Sequence, residues 1–175
     1  MIQFVLNMWK VKFLLVLGLT WIINFETEAK DKVEAISFNY ELTREDCPVP
    51  RDNNYVIFKV YSYGKKALLT AEAGKRNAIH GILFKGLAAT DRQGRIPALM
   101  GTTPYDAHKE YFDRFFNGTE FLQFVQETNK GFHEEIKVSG KEYKVGITVK
   151  VNINSLRKHL EADGVLTNVF DMMIQ

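Results

Sequence analysis

The chain has 175 residues, 46% of them hydrophobic and 25% charged, with a formal net charge of +2. That length fits one domain with a sizeable core, and the composition excludes intrinsic disorder. Charges of both signs are mixed along the chain, which excludes a nucleic-acid surface built on a basic patch; the nearest basic group, Lys65, Lys66, Lys75 and Arg76, reads as a solvated helix face.

Lys10 and Lys12 precede the apolar run FLLVLGLTWIINF, residues 13–25, after which ETEAKDK turns acidic and polar. This is the layout of a secretory signal peptide over residues 1–29, with Thr27 and Ala29 as the small pair at the cleavage site. Cleavage releases one domain, residues 30–175, into the periplasm or onto the cell surface. A second basic start, MWKVK, begins at Met8. At about 1.5 Å per residue the apolar run covers roughly 20 Å against a bilayer core of about 30 Å, so membrane contact requires an uncleaved leader acting as anchor. Cys47 is the single cysteine, so no internal disulfide forms, and no lipidation cysteine follows the apolar run.

VEAISFNYEL, residues 33–42, predicts an early strand, ended by the polar, proline-bearing loop TREDCPVPRDNN. YVIFKVYSY, residues 55–63, predicts a strand with Val56, Phe58 and Val60 on a buried face and Tyr55, Ile57, Lys59, Tyr61 and Tyr63 on the other. Ala67, Leu68, Ala71, Gly74, Ala78, Ile79, Ile82 and Leu83 recur at helical spacing and predict a helix stopped by Gly86. A phosphate-binding loop fails here, because Leu69 stands where the first glycine belongs and Arg76 where the magnesium-binding hydroxyl belongs. Gly74 reads instead as a point where helix and sheet lie close.

Residues 88–104, AATDRQGRIPALMGTTP, are the longest irregular stretch, and loops of that length are uncommon unless functional or mobile. Asp91, Arg92 and Arg95 are the candidate partner-binding residues within it; a mobile connector is the competing reading. Thr103, Pro104 and Asp106 predict a helix start, followed by an aromatic stripe of His108, Tyr111, Phe112, Phe115 and Phe116 that reads as core. Asn117-Gly118-Thr119 breaks that helix before a second one, EFLQFVQET, capped by Thr119; the triplet also matches a eukaryotic glycosylation acceptor. Residues 132–152 predict a hairpin turning at Ser139-Gly140-Lys141, with Tyr143, Val145, Ile147, Val149 and Val151 facing the core. A helix capped by Asn154 and stopped by Gly164 follows, and VLTNVF, residues 165–170, reads as a last strand. These elements make an α+β fold: one mixed or antiparallel sheet of about four strands with helices packed on one face.

The pattern names no catalytic residue, cofactor or metal. His80, His108, His133 and His159 are not paired at ligand spacing, so a zinc site needs assembly by the fold. GxSxG and SxxK are absent, Cys47 has no local activating pattern, and Glu134 and Glu135 fall on opposite faces of their strand.

YVIFKVYSYG, AEAGKRNAIHGILFKGL, YDAHKEYFDRFF and YKVGITVKVNINSLRKHLEADGV, in that order, resemble a group of small uncharacterised exported α/β proteins of Gram-negative anaerobes. The resemblance covers most of the mature chain and lies in apolar and glycine positions. At the level of element order the chain is also similar to periplasmic modules of flagellar-assembly and curli-channel proteins, without their lipidation cysteine. The resemblance implies an envelope-associated, non-enzymatic role and carries over no site. The expected function is therefore a non-catalytic binding or assembly module for an envelope protein or polymer. The alternative is an enzyme acting on an envelope polymer or small molecule, with a cavity that gathers residues such as Arg95, Asp106 or His108.

Overall fold

A computed structural model describes residues 38–128 and 133–167 of the chain. The leader over residues 1–29, and residues 33–37 of the first expected strand, lie outside them. Among the described residues five strands form one antiparallel sheet: β1 Tyr40–Thr43, β2 Tyr55–Gly64, β3 Val125–Glu127, β4 Glu134–Ser139 and β5 Glu142–Asn152. Among the described residues three helices pack with it: α1 Ala67–Phe84, α2 Lys109–Asn117 and α3 Ile153–Ala162. The fold is thus α+β, with a wholly antiparallel sheet and one strand more than expected.

β2 pairs along its whole length with β5, from Tyr55 opposite Asn152 to Gly64 opposite Tyr143. Because strand side chains alternate, Val56, Phe58 and Val60 join Val145, Ile147, Val149 and Val151 on one face, all buried. α1 covers that face with Ala71, Ala78, Ile79, Ile82 and Leu83. Gly74 is what allows the close approach, since a Cβ there would fall 2.6 Å from Ile147 Cδ1 and 2.9 Å from its Cγ1. α1 has neither a side-chain cap nor an acidic residue in its first turn. It is held by burial of one face. Gly86, at φ +68°, ends it, with its N–H on Gly81 O at 2.8 Å.

β2 occupies one edge of β5, so β3 and β4 share the other: Val125 lies opposite Val151, and Glu134 opposite Gly146. β1 completes the sheet beyond β2. A second layer of aromatics, Phe112, Phe115, Phe116, Phe121 and Phe124, closes the core with Leu156 and Leu160. Each such ring contributes about 1.5 to 3 kcal/mol on full burial.

Four local expectations are corrected. Thr103 does not cap a helix; its N–H closes a turn on Met100 O at 2.9 Å, and a 3-10 turn, Tyr105–His108, precedes α2. EFLQFVQET is a 3-10 turn, Glu120–Phe124, without a side-chain cap from Thr119, running into β3. Phe121 and Phe124 are buried three residues apart, which is the 3-10 repeat, and Val125 then extends into the sheet. The cap of α3 is Asn152, accepting from Ser155 N–H at 3.0 Å, while Asn154 bonds the Asn54 side chain. Residues 165–167 are not a strand, because Val165 and Leu166 N–H groups return to Leu160 O and close α3; residues 168–170 lie outside the described part. Among the described residues no helix is long and apolar enough to cross a membrane.

Candidate functional site

The stretch after α1 is more ordered than its composition suggests. Leu87 and Ile96 exchange both backbone hydrogen bonds, at 2.8 and 3.0 Å, and Thr90 and Gln93 do the same at 2.8 and 3.3 Å. The result is a tight two-rung turn. Its return limb is pinned to α1, with Leu99 N–H on Ile82 O and Met100 N–H on Leu83 O, satisfying carbonyls at the helix end. Arg44, 5% exposed, enters beneath the turn and donates to Ala88 O, Gly94 O and Gln93 Oε1. Burial lowers its pKa, and its Nε is buried without a protein partner.

A cleft of about 410 Å³ opens between this turn and the chain leaving β1, lined by residues including Arg44, Asp46, Cys47, Asp91, Arg92 and Gln93. It brings Asp91 and Arg92 together and leaves out Arg95, Asp106 and His108. Cys47 is buried, and that burial pushes its thiol pKa up, away from the thiolate. Arg44 was not among the sequence candidates; it stands one residue past a strand, where a charge normally signals solvent.

A larger arrangement lies on the sheet face away from α1. Tyr55, Lys59, Tyr61 and Tyr63 of β2 stand beside Lys144, Gly146 and Lys150 of β5, with Glu41 of β1 and Glu134 of β4 at the flanks. Gly146 sets the pattern. A Cβ there would fall 2.7 Å from Tyr61 Cε1, so its absence lets the Tyr61 ring lie across β5 and reach β4. The Tyr61 hydroxyl donates to Glu134 Oε2 at 2.8 Å, and Lys59 Nζ meets Glu134 Oε1 at 2.5 Å. On the other flank Tyr63 and Lys144 both bond Glu41, each at 2.7 Å. Lys144 Nζ sits 4.6 Å from the Tyr61 ring centre, and Lys150 Nζ 3.9 Å from that of Tyr55.

Hydrogen bonds from Lys59 and Tyr61 lower the Glu134 pKa, and those from Lys144 and Tyr63 lower that of Glu41. Exposed pairs of this kind contribute about 0 to 1 kcal/mol each to folding. Their effect is to hold three half-buried tyrosine rings and three half-buried lysines in fixed positions on the sheet face away from α1. The alternation of residues 55–63 signalled this face; the cross-strand pairing that organises it depends on register, which the sequence does not display.

The histidines are distributed by packing. His80 stacks on Phe38 and lies 2.5 Å from the Tyr40 hydroxyl. Desolvation first, and Lys85 second, lower its pKa to about 4. His108 lies edge-on to Phe112, and His133 Nε2 is 2.9 Å from Glu127 Oε1. His159 Nε2 is 3.0 Å from Glu120 Oε1 and 3.4 Å from Asp163 Oδ2, and the Tyr111 hydroxyl donates to Asp163. Among the described residues this trio is the group whose ligand atoms converge within 4.8 Å, with both carboxylates exposed. The helical spacing of His159 and Asp163, one turn apart in HLEAD, was its legible signal. Glu134 and Glu135 stand on opposite faces of β4, as alternation requires. No family model, curated protein or solved structure matches the chain.

Proposed function

We propose that this chain is a non-catalytic binding or assembly module, exported to the periplasm or cell surface, that holds an envelope protein or polymer against the open face of its sheet. One observation carries the reading: half-buried Tyr55, Tyr61 and Tyr63 are fixed on the sheet face away from α1 by Lys59, Lys144, Lys150, Glu41 and Glu134 at little benefit to folding. Rigid tyrosines offer contact area at low conformational cost, and ordered charges of both signs supply selectivity. The turn bearing Asp91, Arg92 and Arg95 is a second contact. The cleft beside it is the feature an enzyme would use, yet burial pushes its thiol pKa up and its buried guanidinium is engaged by the backbone.

Export rests on the basic and apolar layout of residues 1–29. N-terminal sequencing of the protein from an envelope fraction should begin near Lys30; full-length chain recovered from the cytoplasm would contradict export. For binding, the tagged chain is presented to envelope extract alongside two variants, Tyr61→Ala with Lys144→Glu, and Arg92→Glu with Arg95→Glu. The first should abolish capture while the chain stays folded by far-UV circular dichroism, with a somewhat lower melting temperature because Tyr61 covers Gly146, and the second should weaken capture with the melting temperature nearly unchanged. Undiminished capture by the first variant would remove the open face from the account.

A further inference from the structure

Among the described residues β4 is an edge strand, paired with β5 on one side, and all six of its residues are exposed. Ile136 and Val138 are 54% and 52% exposed, two of four large apolar side chains so exposed among the described residues. Ile136 lies opposite Lys144 and so belongs to the open face, whereas Glu135 and Lys137, opposite Val145 and Tyr143, point to the other. Proteins usually blunt such an edge with charges placed to repel a second strand. Here the charges are placed to attract one, provided that strand is another β4.

Consider β4 beside a symmetry-related β4 running the opposite way, with the two-fold axis at Ile136. Ile136 meets the partner's Ile136. Glu135 then stands opposite the partner's Lys137, and Lys137 opposite the partner's Glu135, so one favourable pair is made twice. Moving the axis to Glu135 or Lys137 sets like charges face to face. Moving it between Ile136 and Lys137 sets isoleucine against lysine and flips faces. The three central pairs also precede the irregularity between Lys137 and Ser139, where the strand bulges.

We propose that β4 is a self-recognition edge, through which two copies of the chain pair antiparallel about Ile136 and join their sheets into one. The open faces then form a single surface carrying two sets of the tyrosine and lysine array, so that a repetitive partner is engaged twice by one dimer. With one short strand from each side, the interface belongs to the small, reversible class. This inference is independent of what the open face binds.

Sedimentation velocity of the exported chain, purified from the envelope fraction, over a concentration series tests it, with Glu135→Lys, Lys137→Glu and the double exchange. The wild type should dimerise reversibly. Each single reversal should weaken association by about tenfold or more, because two like-charge contacts replace two favourable ones. The double exchange, which recreates the pairs in swapped order, should return to within about threefold of wild type. Because these side chains are exposed, all variants should keep the wild-type melting temperature. As a direct check of register, Ile136→Cys in a Cys47→Ser background should cross-link to itself under mild oxidation. A wild type that stays monomeric at every concentration overturns the proposal, as do single reversals that dimerise normally or a double exchange that fails to recover. Protection of β4 only in the presence of envelope extract would assign the edge to a different chain and overturn self-pairing.

Discussion

Gly74 shows how one missing side chain sets a distance between layers. The nearest neighbours of a Cβ there are Ile147 Cδ1 and Cγ1, and the second is not the mobile tip of a side chain. Gly74→Val should therefore cost about 1 to 3 kcal/mol by overpacking, measured by denaturant unfolding. Lys75, 3.9 Å from Glu127 and partly solvated, should change stability by less than about 0.5 kcal/mol when replaced by alanine. Nucleotide-dependent thermal stabilisation lost in Lys75→Ala would restore the phosphate-loop reading. Its neighbour Arg76 is less solvated than the expected basic face: it lies against Phe121, and burial lowers its pKa. His80 adds a pH dependence. Its folded pKa of about 4 lies below the ordinary 6.5, so between those values the unfolded chain binds more protons. Stability must then fall as pH drops from 6.5 toward 4, by about 1 to 2 kcal/mol after discounting for the half-buried ring. Thermal melts across that window should show the loss, and His80→Phe should show much less of it.

Among elements, those whose periodicity is long and uninterrupted were readable. β2 and β5 run for 10 and 11 residues, and their alternation predicted both existence and facing. α1 was readable for the same reason over 18 residues. The segments that were misread are short and decided by neighbours: β3 has three residues and exists because Val125 finds Val151. Asn152 rather than Asn154 caps α3 because β5 ends by delivering Asn152 to the helix start, a junction the local sequence does not mark. The turn after α1 stands out in the sequence for its length, but its order comes from Arg44, 50 residues from Gly94 in sequence. Arg44→Met should cost about 1.5 to 3 kcal/mol, the usual worth of hydrogen bonds from a charged group. It should also raise amide exchange selectively between Leu87 and Ile96. Equal exchange in wild type and variant would mean that the backbone rungs alone hold the turn.

At the scale of the molecule, the sheet divides the labour. One face is consumed by α1 and the aromatic layer, and on the other, among the described residues, half-buried tyrosines and charges are locked together. Alternation in the sequence predicted that division; the site itself was legible only in part, since Gly146, Glu134 and Glu41 come together through strand register. The most direct measurement is hydroxyl-radical footprinting of the chain with and without the envelope component it captures. Protection concentrated on Tyr55, Tyr61 and Tyr63 is the predicted result. Protection confined to the cleft around Asp91 and Arg92, with those three tyrosines still reactive, would contradict the open face as the binding surface.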